Sequence, residues 1–243
     1  MKKELTVLIG CFMVMGAVNA ETIKGEAELG FVSTSGNSET ENINAKLKLL
    51  KETNTWRHEA NITALSSSSE DQDSGETSTT AEKYTADIKS DRKLSERSYI
   101  YSLATYEDDR FTGFDYQATA GVGYGYEVLA DQTKTLALEI GPGYRYNAVA
   151  GGEDEDEATL RVGEKFDWQF SDTAKLKQYV IVEGGEENII TNFGVSVESA
   201  LTGTLALKIG VDAKYTDEVP TDSNGDKRDH MDTETYASVI YSF

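Results

Sequence analysis

The sequence predicts an all-β fold, an antiparallel transmembrane β-barrel, and three observations support that class. Apolar and polar residues alternate over stretches of ten or more residues, the connections between the stretches alternate between short and long, and the chain ends on Phe243. Successive side chains of a strand point to opposite faces, so a period of two predicts strands. Membrane strands need about 9–11 residues, whereas strands of soluble proteins usually have about 5–6. The observed stretches are long enough to span a membrane.

The segment from Tyr116 to Val128 shows the period most clearly, because its even positions carry aromatic, alanine or valine residues and most odd positions carry glycine or polar residues. Twelve such segments can be placed, and an even number fits a chain that begins and ends on the same side of a membrane. Short turns alternate with longer polar connections between them, as in bacterial barrels. The predicted strands are 23–33, 39–50, 55–66, 81–92, 98–108, 114–129, 134–149, 158–170, 174–185, 189–200, 203–216 and 233–243.

Aromatic residues gather near both ends of these strands, which is typical of the two interfacial girdles of a membrane barrel. The short-turn girdle is predicted to include Tyr99, and the long-loop girdle Phe114. At the C-terminus, Tyr241 and Phe243 lie two positions apart in the last strand. This ending resembles the sorting signal of bacterial outer-membrane barrels, and the resemblance implies recognition by the barrel-assembly machinery.

The N-terminus predicts an export signal. Lys2 and Lys3 precede an apolar run from Leu5 to Val18, and small residues then lead to a cleavage site after Ala20. We therefore divide the chain into a signal peptide, 1–20, and a barrel, 21–243. The run is shorter than the roughly 20 residues that span a bilayer as a helix. Cys11 lies in a sequence similar to a lipoprotein box, so lipidation is the alternative.

The composition excludes several function classes. A formal net charge of −20 disfavours nucleic acid as a partner, and a mean hydropathy of −0.47 excludes a helical membrane bundle. The chain has two histidines, His58 and His230, and neither a Gly-x-Ser-x-Gly elbow nor a phosphate-binding loop. We accordingly predict no enzyme activity and no cofactor.

The polar face of the strands is predicted to line the lumen. Gly121 and Gly123 are expected opposite Gly141 and Gly143, where they either leave open space for solutes or make room for bulky residues and sheet curvature. Charged residues of both signs share this face, so a narrow pore and a closed barrel both remain open. The predicted lumen residues are Lys46, Lys48, Arg57, Glu59, Gly121, Gly123, Gly141, Gly143, Arg145, Arg161, Lys165, Lys208 and Asp212.

The predicted outer loops are acidic, and carboxylates are ligands for hard cations such as Ca²⁺ and Mg²⁺. The run Glu153, Asp154, Glu155, Asp156 and Glu157 is the candidate for weak divalent-cation binding. No ordered metal site is predicted, because acidic runs are more often solvated loops. Outer-membrane lipid and lipopolysaccharide are the other expected partners.

The first hairpin contains Ser33-Thr34-Ser35-Gly36-Asn37-Ser38, and the chain combines it with Tyr/Gly-rich strands and the terminal Phe243. This layout resembles the YdiY-like salt-induced outer-membrane proteins over most of residues 21–243. The resemblance implies a location in the bacterial outer membrane and a link to salt stress, without an activity. We expect a passive barrel, either a minor channel or an envelope-integrity protein that responds to ionic conditions. A surface-interaction protein using the acidic loops is the alternative, and an outer-membrane hydrolase using His230 comes third.

Overall fold

The computed structural model describes residues 23–34, 39–70, 77–110, 112–219 and 229–243, which form one closed antiparallel barrel. Each strand pairs with the next along the chain, and the last strand pairs with the first. The predicted fold class and strand number are confirmed. The predicted signal peptide, Cys11 and the Ser35-Gly36-Asn37 turn lie outside the described residues. The strands are β1 (Ile23–Thr34), β2 (Glu39–Glu52), β3 (Trp56–Glu70), β4 (Thr77–Lys93), β5 (Ser98–Asp109), β6 (Phe114–Ala130), β7 (Lys134–Val149), β8 (Glu155–Gln169), β9 (Ala174–Gly184), β10 (Ile189–Ala200), β11 (Leu205–Thr216) and β12 (Met231–Ser242).

The two faces of the barrel wall have opposite chemistry. Large apolar side chains point outward, as at Leu29 and Ile209, which are 63% and 65% exposed. Charged side chains point inward and are buried, as at Glu139 and Arg145, which are 3% and 1% exposed. This is the reverse of a water-soluble barrel, whose interior is apolar, and it is the arrangement expected of a barrel surrounded by lipid. No helix in the described ranges has the length and apolar character to span a membrane.

Three strands extend beyond their predicted limits into polar sequence. β3 continues to Glu70 and β4 begins at Thr77, although the apolar period ends near residue 66 and resumes near residue 81. β8 begins at Glu155 inside the acidic run, with Asp156 opposite Tyr146. Backbone hydrogen bonds continue a ladder whatever the side chains are, whereas the apolar period is needed only where one face meets lipid. The apolar period in the sequence therefore covers less of the chain than these strands do.

The five short turns share one side-chain motif within their first two residues. The side-chain oxygens of Thr53, Ser95, Asp131, Ser171 and Thr202 each accept hydrogen bonds from the backbone N–H groups two and three residues later. Side chains that imitate a backbone turn in this way favour tight reversals. In the exposed turn at Asp131, the N–H groups of Thr133 and Lys134 hold the pKa of the carboxyl below its ordinary value. This end of the barrel is consequently built from compact turns.

Barrel closure depends on a short seam between β1 and β12. The paired register runs only from Glu26 opposite Ser242 to Gly30 opposite Ser238. At its end, the Gly25 N–H donates to the Phe243 carbonyl at 2.8 Å, and the Phe243 N–H donates to the Gly25 carbonyl at 2.9 Å. The Phe243 ring fills the space that a side chain at position 25 would need. The last residue of the chain thus takes part in closing the barrel.

Two members of the predicted aromatic girdles are placed elsewhere. Tyr99 points into the barrel and is 4% exposed, and Phe114 is 5% exposed. Both predictions are wrong for these residues, because they rest only on closeness to a strand end, whereas a girdle residue must also have its ring exposed on the outward face. Exposed aromatic rings do occur near the rims, for example at Tyr144 and Phe170.

Candidate functional site

The predicted lumen residues are distributed along the interior and do not form one cluster. Arg57 borders a mouth cavity of about 540 Å³ on the short-turn side. Two further cavities lie inside the barrel, one of about 190 Å³ and one of about 440 Å³. The smaller is bordered by Lys46, Lys48, Lys208 and Asp212, and the larger by Lys46, Glu59, Arg145, Arg161 and Lys165.

Of the four predicted glycines, Gly123 lies beneath a tyrosine of β5, and Gly125, next on the same face of β6, lies beneath another. Gly121 pairs with Gly143 across β6 and β7. A Cβ at Gly123 would lie 2.5 Å from Cζ of Tyr101, and one at Gly125 would meet the Tyr99 ring closer than 3.0 Å. At Gly123, the structure favours room for a bulky side chain over open space, because the Tyr101 ring occupies the space above it. The nearest atoms to a Cβ at Gly141 belong to the backbone of β6.

A network of ion pairs surrounds these tyrosines. Lys89 Nζ lies 2.5 Å from Glu139 and 2.9 Å from Asp91, and Arg57 Nη2 lies 2.6 Å from Asp91. The Tyr99 hydroxyl donates to Glu139 at 2.8 Å. Lys89 Nζ also lies 5.0 Å from the centre of the Tyr99 ring, within the range of a cation–π contact. This part of the lumen is therefore filled by paired charges and aromatic rings.

Glu139 is not among the predicted lumen residues, although its carboxylate also accepts a contact from Arg161 at 3.3 Å and so joins β4, β5 and β8. A sequence signal was present, because Glu139 alternates with Gly141 and Gly143 and therefore faces inward with them. Its partners come from strands far apart in the chain, and the pairing could not be read from local sequence.

On the opposite wall, the charges surround the smaller cavity. Lys208 Nζ lies 3.1 Å from Glu28, which also accepts a hydrogen bond from the Ser238 hydroxyl at 2.6 Å. The Tyr179 hydroxyl donates to Asp212 at 3.0 Å. Both cavities border Lys46 and Tyr179. These two side chains accordingly lie between the two interior spaces.

The acidic run at 153–157 is largely engaged with protein groups. Its prediction as a loop is wrong for residues 155–157, which lie in β8, whereas Glu153 and Asp154 lie in the connection before it. Glu157 is buried, pairs with Arg145 and accepts a hydrogen bond from the Glu187 N–H at 2.8 Å. Asp154 accepts the Tyr146 hydroxyl at 2.5 Å, and Asp156 accepts that of Tyr144. Glu155 begins β8, and Glu153 is exposed. Within the described ranges, no group of three or more His, Cys, Asp or Glu side chains is arranged to hold a metal ion.

Neither histidine is arranged with a complete set of catalytic groups in the described part of the chain. His58 Nδ1 lies 2.9 Å from the Ser90 hydroxyl, a contact that follows from their direct pairing across β3 and β4. The His58 ring stacks on Trp56, and no described carboxylate orients the imidazole as a third group would. His230 Nδ1 lies 2.9 Å from the Thr216 carbonyl oxygen, which anchors the start of β12.

Comparison with known proteins gives one family and one curated relative. The model of the family described as "Protein of unknown function, DUF481" matches residues 27–243. The relative is "Uncharacterized protein YdiY" of Escherichia coli (strain K12), which is 25% identical over 221 residues, 90% of this chain and 82% of the relative.

Solved structures with a similar fold are bacterial outer-membrane barrels. An outer-membrane channel from Pseudomonas putida F1 has a TM-score of 0.55 at 12% identity, covering 93% of this chain and 97% of that one. The NanC porin has a TM-score of 0.52 at 10% identity, covering 90% and 98%. The translocator domain of the autotransporter NalP from Neisseria meningitidis has a TM-score of 0.51 at 13% identity, covering 93% and 90%. At these identities the similarity concerns the fold alone.

Proposed function

We propose, from the premise that this chain belongs to the family described as "Protein of unknown function, DUF481", that it is a narrow outer-membrane channel for small hydrophilic solutes. The similarity to YdiY-like proteins expected from the first hairpin is confirmed by the relative at 25% identity. Membership of this family does not indicate an activity, so the proposal rests on the interior of the barrel. Its location in the outer membrane is supported by the apolar outer surface and by the fold neighbours.

One observation carries the channel proposal. Two cavities with charged side chains in their walls lie inside a closed barrel, and both border Lys46 and Tyr179. Polar space inside a membrane barrel fills with water, because charged groups there are stabilised by hydration or by pairing. A path for small solutes would therefore run through both cavities, with its narrowest part beside Tyr179. The extensive ion pairing predicts a small conductance.

The test is conductance in planar bilayers with a variant at the constriction. Purified chain should give small, discrete current steps in KCl. Tyr179→Ala removes the ring that lies between the cavities and should raise the single-channel conductance severalfold. Tyr124→Ala, an outward-facing tyrosine that is 45% exposed, removes the same ring from the outer face and should leave conductance unchanged. If bilayers stay silent with both the natural chain and Tyr179→Ala, the channel proposal is wrong.

An envelope-integrity barrel without a pore is the second candidate, and the cluster around Tyr99, Lys89 and Glu139 favours it. Such a cluster crosses the interior between strands and closes space that a solute would need. Silent bilayers together with a folded, heat-modifiable barrel would support this function. A role in salt stress belongs to either candidate, and a deletion strain grown in low and high salt would test it.

Export and surface contacts complete the proposal. We expect cleavage after Ala20, which N-terminal sequencing of the envelope protein would check, since a chain beginning at lipidated Cys11 would contradict it. Recognition by the barrel-assembly machinery is proposed from Phe243.

Lipopolysaccharide and divalent cations remain proposed partners of the acidic end of the barrel. Loss of Mg²⁺-dependent protease protection when Glu153 and Asp154 become Ser would support the cation contact, and equal protection by NaCl would contradict it.

A further inference from the structure

Two inward-facing lysines lack the counter-ion that their neighbours have. Among the basic side chains that border the two interior cavities, Lys46 and Lys165 alone have no carboxylate oxygen within 4.0 Å and no hydrogen bond to a described residue. Both are half-buried and border the larger cavity. An ammonium group removed from bulk water without a partner is unfavourable, so an anion placed beside it is stabilising.

The carboxylates around these lysines are already engaged with other groups. Glu28 lies opposite Lys46 in the β1–β2 register, and its carboxylate is 3.1 Å from Lys208 Nζ. Asp87 accepts a hydrogen bond from Asn61 at 2.8 Å. Glu59 lies 3.1 Å from Lys48 and accepts a second hydrogen bond from Asn61. Glu139 is shared between Lys89 and Arg161. The positive charge of Lys46 and Lys165 is therefore not neutralised by a direct contact within the described interior.

The charge balance of the larger cavity has the opposite sign to that of the whole chain. Six basic and four acidic side chains border it, whereas the chain carries a formal net charge of −20. The smaller cavity is balanced, with four of each sign. The positive excess is thus confined to the space next to Lys46 and Lys165, and it does not follow from the general composition.

Part of the remaining wall suits a hydroxylated ligand, while Leu103, Ile181 and Ile190 supply an apolar part. Asn61, Thr85, Thr105, Thr119 and Asn192 border the same cavity and supply amide and hydroxyl groups. A volume of about 440 Å³ lies within the roughly 300–1,000 Å³ that is typical of sites for small molecules. Neutral donors and acceptors can bind hydroxyl groups of a ligand, while the two ammonium groups bind its carboxylate.

We propose that the larger cavity is a binding site for a small hydroxylated carboxylate, whose carboxylate group is held by Lys46 and Lys165. The proposal deepens the channel function, on which it rests for the entry of the ligand, since it names the class of solute that the interior selects. Binding itself requires only the folded barrel, and it can be measured without ion flow.

The experiment is isothermal titration of sodium glucuronate into the folded, detergent-solubilised chain, with glucose as the neutral analogue. Glucuronate should bind, and glucose should bind at least about tenfold more weakly. Lys46→Gln and Lys165→Gln should each weaken glucuronate binding about tenfold, which corresponds to 1.4 kcal/mol, and leave glucose binding unchanged. The matched control is Lys134→Gln, which removes the same charge beside Trp168 at the start of β7 and should have no effect.

The outcomes separate this proposal from the channel function. Equal binding of glucuronate and glucose, no measurable glucuronate binding, or variants that bind like the natural chain would each overturn the anion site. Heat-modifiable mobility in gels shows whether each variant is folded, and Lys46→Arg, which keeps the charge, should retain binding if Lys46→Gln fails to fold. Glucuronate binding with silent bilayers would sustain the site and contradict the channel. Bilayer currents without glucuronate binding would support the channel and contradict the binding site.

Discussion

At the scale of single residues, the glycines of β6 and β7 show that the same residue type is not required equally at every position. A Cβ at Gly141 would lie closer than 3.0 Å to the Val122 carbonyl oxygen and to Cα of Gly123. These are backbone atoms, which cannot rotate away. A Cβ at Gly121 would find its nearest neighbour, the Pro142 carbonyl oxygen, at 3.4 Å. Only the first position excludes a side chain on steric grounds.

We therefore expect Gly141→Ala to destabilise the barrel by about 1–3 kcal/mol, the usual cost of overpacking. Gly121→Ala should be neutral, or stabilising by up to about 1 kcal/mol, because alanine restricts the unfolded chain. Both substitutions change the unfolded chain equally, so their difference reports the close approach at position 141. Urea unfolding in lipid vesicles, followed by tryptophan fluorescence, measures both. Equal stabilities of the two variants would contradict this account.

At the scale of elements, β8 shows how tertiary contacts divide a uniform acidic run. Arg145 from β7 is 1% exposed, and it binds Glu157 of β8 and donates to the Asn188 carbonyl oxygen at 2.7 Å. Glu157 in turn accepts the Glu187 N–H between β9 and β10. The pair thus joins three neighbouring segments at the long-loop end. Glu153, four residues earlier, is exposed and precedes the strand.

Glu157→Ala is expected to cost about 3–5 kcal/mol, because it leaves the buried Arg145 guanidinium without its anion. Glu153→Ala should change stability by no more than about 0.5 kcal/mol, as is usual for exposed positions. Limited proteolysis of the β7–β8 and β9–β10 connections, together with urea unfolding, gives the comparison. If both variants resist protease and urea equally, Glu157 has no special role.

At the scale of the whole molecule, the barrel closes through its least extensive strand pairing. The β1–β12 register spans residues 26–30, whereas β1 and β2 are paired from Ile23 to Thr34. Closure removes the two exposed edges that an open sheet would present. Phe243 contributes both a pair of backbone hydrogen bonds with Gly25 and a ring packed against that glycine.

Deleting Phe243 should lower the amount of heat-modifiable barrel in outer-membrane fractions severalfold. Phe243→Ala retains the backbone hydrogen bonds and removes the ring, so it separates closure of the seam from recognition of the aromatic residue. We expect a smaller but measurable loss for Phe243→Ala. Undiminished amounts of folded barrel in both variants would refute a role for this residue in assembly.

Local sequence alone determined the class and topology of this protein. The two-residue period, the alternation of short and long connections and the even strand number are properties of neighbouring residues along the chain, and they predicted twelve antiparallel strands in the order that the structure has. The inward face was also predictable, because Lys46, Glu59, Arg161 and Lys165 follow the same period. Lipid on one side and polar groups on the other impose that alternation strand by strand.

The tertiary structure decided which inward residues meet. The rings of Tyr99 and Tyr101 lie over glycines of the next strand. Glu139 forms ion pairs with Lys89 of β4 and Arg161 of β8. Glu157 of the acidic run forms an ion pair with Arg145. Lys46 and Lys165 are distinguished only by the absence of such a partner among the described residues. Contacts across a lumen depend on strand tilt, stagger and side-chain length together. A period of two fixes the direction in which each side chain points, and the closed geometry of the barrel fixes what it reaches.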